Sequence, residues 1–526
     1  MGTDNSISRR SFIGAASAAA AAATMAALAG CAPTSKEESL ASTDPTSWDE
    51  EADLVIIGCG GCGSSAAISA AENGASVIVL EAATTMGGSA VLCAGSFVAA
   101  GTKMQADAGI TDDPDLYLSD VKGFLGDATI ERAGDDWKLF EMQAREGAAT
   151  VDWLQAMGVE FNGPLPYPLH SADRLHVLTP TAGEWPKALQ PRMEELGVQV
   201  HFRTPAERLI TDENGRVAGV AASGRKYRAN KGVLIAAGGM DSNVEMKKKY
   251  YSSAIAGIAA ANGFNDGSGY KMAQMVGADI TDLTDATSNL MRTSGPGPDA
   301  GITQKQKWMP YGLSNAGAIL VNSAGERFCD EELSDKDLIP LCEAQPDRQC
   351  WMVYDEAVAR NFRDFPNMIV SSLSGVGWGT IEDFIERGGI VTGDTIEDVA
   401  AQAGIDATGL TSQIDKWNKA CKDAIDEDFG RKTFGREEAG TLGAGLSTPP
   451  FYIHGPIHAE CNQSWASLAI TENFEVKNVE GDVIPGLYSG GQMGHGLSPI
   501  AGGGHGGTMC WAFTSGRLAG KHIASL

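Results

Sequence analysis

The stretch Asp53-Leu54-Val55-Ile56-Ile57-Gly58-Cys59-Gly60-Gly61-Cys62-Gly63, followed by Ser76-Val77-Ile78-Val79-Leu80-Glu81, sets the architecture of this chain. A short apolar strand runs into three glycines spaced G-x-G-x-x-G. The pattern predicts a helix of small residues over 64–72, closed by Gly74, and then a second apolar strand ending on an acid. Each part has a physical job. Gly58 makes a tight turn, Gly60 lets backbone approach a pyrophosphate, and Gly63 allows helix to pack closely on strand. The helix N-terminus offers free N–H groups to phosphate, and Glu81 stands where a carboxylate accepts from a ribose hydroxyl. In a chain with 65 glycines such spacing also arises by chance. Set between two strands, with the acid at the end of the second, it is specific. The segment binds a dinucleotide.

At 526 residues the chain can hold more than one domain and bury a full core. Its 67 acidic residues outnumber 40 basic ones, for a net charge of −27, and no basic stripe stands out. Binding a phosphate backbone needs clustered Lys and Arg, so nucleic acid is not an expected partner. The acidity reads as a solvated surface.

Residues 1–31 read as an address. Ser8-Arg9-Arg10-Ser11-Phe12-Ile13 is a twin-arginine pattern, and the alanine-rich run from Ala15 to Ala29 is its h-region, short and weakly apolar for a bilayer span. Leu28-Ala29-Gly30-Cys31 looks like a bacterial lipobox, which implies cleavage before Cys31 and a lipid on its thiol. Residues 32–50, rich in Pro, Thr, Ser, Lys and Glu, read as a disordered tether. The expectation is twin-arginine export to the outer face of the cytoplasmic membrane, with a lipid anchor at Cys31.

Nine of the ten cysteines follow Cys31, without disulfide-like spacing. Cys59 and Cys62 form a C-x-x-C inside the phosphate turn, where neighbours must be small. They read as stand-ins for Ala or Ser rather than as a redox pair or metal site.

Later loops specify the dinucleotide. Met86-Gly87-Gly88-Ser89 and Ala94-Gly95-Ser96 follow the acid. Gly232-Val233-Leu234-Ile235-Ala236-Ala237-Gly238-Gly239 is a buried strand ending in small residues. Asn262-Gly263-Phe264-Asn265-Asp266-Gly267-Ser268-Gly269 is a glycine-rich turn with one acid, and Ile484-Pro485-Gly486-Leu487-Tyr488-Ser489-Gly490-Gly491-Gln492 lies near the C-terminus. Together they resemble the FAD-dependent family of fumarate reductase and succinate dehydrogenase flavoprotein subunits, which includes urocanate reductases and 3-ketosteroid dehydrogenases. The resemblance covers roughly residues 51–526. It implies FAD, covalently or non-covalently held, and an α/β fold with a Rossmann-like FAD-binding domain (51–290 and 447–526) and an inserted α+β capping domain (291–446). It also assigns cofactor residues. Gly58, Gly60, Gly63 and Glu81 would hold the ADP part. Gly87, Gly88, Ser89, Gly95 and Ser96 would line pyrophosphate and isoalloxazine. Ala237, Gly238 and Asp266 would face the adenosine half, and Gln492 falls where the family has an acid on the ribityl chain. No second strand–G-x-G-x-x-G–helix unit is present, so electrons are expected from a separate donor, a membrane component or redox protein, rather than from a resident nicotinamide.

In fumarate-reductase-like members, flavin passes hydride to an activated C=C bond and a group on the cap supplies the proton. The landmark for that group, G-x-R-F-x-x-E, is intact as Gly325-Glu326-Arg327-Phe328-Cys329-Asp330-Glu331. Four residues on, where fumarate and urocanate reductases have arginine and ketosteroid dehydrogenases tyrosine, this chain has Asp335. Where fumarate reductases relay protons through Glu and Arg, it has Tyr311 and Ser314. Where they clamp a substrate carboxylate with arginine, it has Pro499 or Gly503. Losing that clamp forfeits strong bidentate bonds, so fumarate is not the expected acceptor.

Asp335 reads either as a carboxyl acid kept protonated in a water-poor cleft or as a solvated residue at the start of a cap helix. Tyr311 is the competing donor, with a packed aromatic as its other reading. His505 and His458 stand where they could touch substrate or flavin; Arg292, His170 and His176 are weaker candidates. Arg327 and Glu331 read as braces of the cap. The functional expectation is an exported FAD reductase acting on an activated C=C bond of a small organic acceptor other than fumarate. The alternatives are a ketosteroid-dehydrogenase-like enzyme and a non-catalytic, electron-transferring flavin lipoprotein.

Overall fold

Strand β1 (Glu50–Ile57) is apolar on both faces because both are covered: Leu54, Val55, Ile56 and Ile57 are all buried. In the computed structural model it leads through Gly58 into helix α1 (Gly61–Glu72), and β2 (Val77–Leu80) returns parallel to it with Leu54 opposite Val77 and Ile57 opposite Leu80. The structure describes residues 47–93, 95–165, 170–180, 182–250, 262–281, 290–293, 316–333, 335–364, 381–386, 388–435, 437, 440–460, 466–495 and 507–526.

β1 and β2 are the centre of an eight-stranded sheet. Its other strands are β3 (Gln199–His201), β4 (Ala206–Thr211), β5 (Val217–Ala222), β6 (Arg225–Ile235), β7 (Glu475–Lys477) and β8 (Val483–Ser489). The order is β7-β8-β6-β1-β2-β3, with β4 and β5 forming an antiparallel extension of β6. The parallel strands β8, β6, β1, β2 and β3 point their C-terminal ends at one crevice. In open α/β sheets such a crevice, where strand order reverses, is where ligands bind.

The C-terminal helix (Gly507–Ser525) lies against α1, and the small residues of both helices have one explanation. A Cβ on Gly516 would sit 2.2 Å from the Cys62 carbonyl oxygen, and one on Gly520 2.2 Å from that of Ala66. The helices meet backbone to backbone, so Cys62 is a small spacer in a crossing. Both Cys59 and Cys62 are buried free thiols. Burial pushes the Cys62 thiol up to about 12, and burial together with Glu81 pushes Cys59 higher still, so neither is a thiolate at neutral pH.

A small antiparallel sheet (Ser96–Val98, Leu175–Leu178, Phe161–Leu165) packs with the helix Asp135–Ala156 around Tyr117, Phe140 and Val98. The cap has its own core and a five-stranded sheet built from Leu290–Thr293, Ile319–Val321, Cys350–Asp355, Ile390–Gly393 and Phe451–Glu460. The last of these pairs with three of the others. That moves a boundary. The chain was expected to rejoin the FAD domain at residue 447, but residues 451–460 are the strand that holds the cap sheet together. The return comes where Ser467–Leu468 pairs with Ile280–Thr281. Only the long-range ladder reveals this, because an apolar strand reads the same in either sheet.

Candidate active site

A cleft of about 530 Å³ opens at the C-terminal ends of β1, β2 and β6. Gly58, Gly60 and the start of α1 form its floor. Gly58 holds φ +100°, and a Cβ there would lie 2.5 Å from the Ala236 carbonyl oxygen. A Cβ on Gly63 would lie 1.9 Å from the Gly58 carbonyl oxygen, the closest such approach in the turn. Gly60 pairs with Gly87, whose amide donates to the Cys59 carbonyl at 2.9 Å, so the two glycine loops are one unit. Helix α1 starts at Gly60 without a side-chain cap, which leaves its first-turn amides turned toward the cleft for an anion. Glu81 is buried in the wall and accepts from the Cys59 amide at 2.6 Å and the Ala83 amide at 2.7 Å. Each oxygen keeps capacity for a ribose hydroxyl. These features fit the ADP half of a dinucleotide.

The opposite wall is held by a buried polar network. Asp241, fully buried, accepts from Gln492 Nε2 at 2.8 Å and from Asn265 Nδ2 at 2.9 Å, and Asn265 also donates to Ser89 Oγ at 2.9 Å. Ser89, Asn265 and Gln492 line the cleft. The reading of the sequence missed Asp241 and Asn265. Their signal was present but weak: both are polar residues beside glycine loops, Asp241 two residues past Gly239 and Asn265 just before Asp266. Phe264, exposed at the rim, was missed as well.

Of the expected cofactor residues, the structure brings Gly58, Gly60, Glu81, Gly88, Ser89, Ala237, Gly238, Asp266 and Gln492 to this cleft. Gly63 and Gly87 support the turn behind it. Gly95 and Ser96, expected at pyrophosphate and isoalloxazine, are placed elsewhere. Gly95 packs on Leu178, and Ser96 opens a strand opposite Val177, because this segment is already committed to the small sheet. Tyr311, Ser314, Pro499, Gly503 and His505 lie outside the described residues. Asp335 is the first residue of the cap helix Asp335–Glu343, and His458 and Arg292 are cross-strand neighbours in the cap sheet.

His176 and His170 serve the small sheet. His176 Nδ1 donates to the Arg174 carbonyl at 2.8 Å and Nε2 lies 2.9 Å from Thr102 Oγ1. His170 Nδ1 accepts from Arg174 at 3.1 Å. Burial holds both imidazoles down at about 4, so they are neutral braces at physiological pH.

In the cap, Arg327 grips Glu331 with two bonds of 2.8 Å and reaches Asp426 at 3.1 and 3.2 Å, while Arg431 reaches Glu331 at 3.0 Å. All four side chains are buried, and both guanidinium groups lie over Trp417, at 4.6 and 4.5 Å. Glu331 also accepts from the Leu320 amide. The intact G-x-R-F-x-x-E landmark is thus the buried keystone of the cap.

The model of the FAD binding domain family matches residues 53–507. The chain belongs to this family of flavoproteins. Among its relatives, digoxin reductase of Eggerthella lenta is 28% identical over 100% of this chain and 98% of its own length. The open conformation of a flavocytochrome c3 fumarate reductase superposes with a TM-score of 0.73 at 22% identity, covering 91% of this chain and 79% of that one. The 3-ketosteroid-Δ4-(5α)-dehydrogenase of Rhodococcus jostii RHA1, solved with 4-androstene-3,17-dione, gives a TM-score of 0.67 at 25% identity, covering 91% and 98%. The flavoprotein family, FAD, the α/β fold and the oxidoreductase class expected from the sequence are borne out.

Proposed function

We propose that this flavoprotein is an exported reductase that saturates an activated C=C bond in an organic acceptor larger and less charged than fumarate. The observation that carries this reading is the match to digoxin reductase over the whole of both chains. The structural neighbour holding a steroid enone supports the same acceptor class. FAD supplies the hydride. The protein's part is to hold the cofactor against α1 and Glu81, to close the cap over the acceptor, and to deliver a proton from a cap group. Asp335, at the start of a cap helix, is the proposed donor, with Tyr311 and His505 as the other candidates. Electrons are proposed to come from a separate membrane or redox-protein donor.

The test is direct. The purified holoprotein is reduced anaerobically and mixed with enones, enoates, cinnamates and urocanate while flavin reoxidation is followed. Enones should reoxidise it fastest, and the reductase reading fails if no compound outpaces buffer. With a true acceptor, Asp335→Asn should slow reoxidation roughly 10²- to 10⁴-fold. Unchanged turnover would remove Asp335 as the donor. The steroid-dehydrogenase direction is distinguished by offering the oxidised protein a saturated 3-ketosteroid and an artificial electron acceptor.

Export and anchoring are part of the proposal and rest on residues 8–31. Among the described residues no helix is long and apolar enough to cross a membrane. Cys31→Ala should move the protein from the membrane fraction to the soluble fraction. Retention in the membrane would refute the anchor.

A further inference from the structure

We infer that Asp241 is a positioning residue that sets the hydrogen-bond polarity of the FAD cleft wall at Gln492, Asn265 and Ser89. The inference rests on this cleft being the FAD site. Asp241 does not line the cleft; it reaches it through Gln492 and Asn265, and through Asn265 to Ser89.

An ionised carboxylate has no proton to give, so an amide beside it must turn its NH2 group toward it. Gln492 and Asn265 both do so, at 2.8 and 2.9 Å from the same oxygen of Asp241. Two consequences follow. The Gln492 amide is locked with its nitrogen on Asp241, which reserves its oxygen as an acceptor for a cofactor hydroxyl. The second N–H of Asn265 goes to Ser89 Oγ, so that hydroxyl is occupied as an acceptor and keeps its own proton to donate. One buried carboxyl group that accepts from both amides thereby sorts an acceptor and a donor along a ligand that carries both hydroxyls and phosphate oxygens. The three residues come from loops after β2, after β6 and after β8, separated from Asp241 or from each other by 24 to 251 positions. Without the carboxylate, each amide could flip.

The test exchanges the partners. FAD dissociation constants are measured by flavin-fluorescence quenching on flavin-stripped protein. Asp241→Asn allows either amide orientation and should weaken FAD about ten- to a hundredfold, the worth of a hydrogen bond to a charged group. Gln492→Glu sets two carboxylates against each other and should weaken it comparably. The double variant carrying both substitutions restores a donor–acceptor pair of reversed direction at 241 and 492, with an acceptor at position 492, while the Asn265 amide, which meets the same atom of residue 241, loses its acceptor. Rescue is therefore partial: its affinity should exceed that expected from the summed singles, a coupling that independent structural damage does not produce. Single variants that bind FAD like wild type, or a double variant as weak as the summed singles, would overturn the inference. If Asp241→Asn does not fold alone, Gln492→Glu against the double variant still decides it. Stripped wild-type protein that takes up no FAD would instead refute the site itself.

Discussion

Gly63→Ala should yield a protein that emerges without flavin. The added methyl would sit 1.9 Å from the Gly58 carbonyl oxygen, and that atom is backbone at the end of β1 with no freedom to swing away. To relieve the clash, α1 must shift off the strand. The shift would carry with it the uncapped N-terminus that faces the cleft and the Gly60–Gly87 pairing that joins the two glycine loops. Overpacking of this kind costs about 3 kcal/mol, equivalent to roughly a hundredfold loss of affinity. Gly74→Ala is the matched control. Gly74, unlike the helical Gly63, has positive φ, and a Cβ there meets nothing within 4 Å. That variant should lose only about 1–2 kcal/mol of stability through backbone strain and keep its flavin. Flavin absorbance per mole of purified protein and FAD titration report both. Equal flavin content in the two variants would show that the close approach at Gly63 is not what holds the site.

Glu331→Ala should cost the protein more stability than any other single change in the cap. It leaves Arg327 paired with Asp426 and Arg431 with its bonds to the Thr433 and Ala318 carbonyls, but takes from both buried guanidinium groups the carboxylate they share. Removing one partner from a buried ion network costs about 3–5 kcal/mol. In a chain of 526 residues that corresponds to a fall in melting temperature of roughly 3–5 °C. Acid should act in the same direction. Burial works to raise the Asp426 carboxyl, but the hydrogen bond from Arg327 prevails and holds it below its ordinary 3.8. A carboxylate depressed on folding contributes its stability above the unfolded value and loses it as pH falls through the folded one. The wild type should therefore lose this contribution as pH falls below 3.8, and an Asp426→Asn variant should show a shallower loss there. Calorimetry across that range checks both statements, and a melting temperature within about 1 °C of wild type at neutral pH would sink the keystone role.

Much of this protein can be read without coordinates. The nucleotide-binding unit is legible because its demands are local. A strand buried on both faces must be apolar along its length, a turn under a phosphate must be glycine, and a helix crossing another at backbone contact must be small. Residues 53–81 carry all three in one run. The landmark at 325–331 is legible for a related reason, since Arg327 and Glu331 stand four positions apart and the non-helical turn between them brings the two charges together.

What could not be read is whatever depends on which distant segments meet. The strand Phe451–Glu460 is apolar in either sheet, and only its ladders assign it to the cap. Ser96 looks like a cofactor residue by position, yet its backbone is spent on pairing with Val177. Asp241 is one acid among 67 in the sequence. Its standing comes from burial and from two amides delivered by separate loops. The amino-acid sequence by itself determined the glycine turn, the parallel sheet around β1 and the cofactor class, because backbone sterics and burial act between neighbours in the chain. Only the tertiary structure decided the boundary of the cap and the polarity of the cleft wall. A hydrogen bond across 251 residues leaves no mark on the residues between.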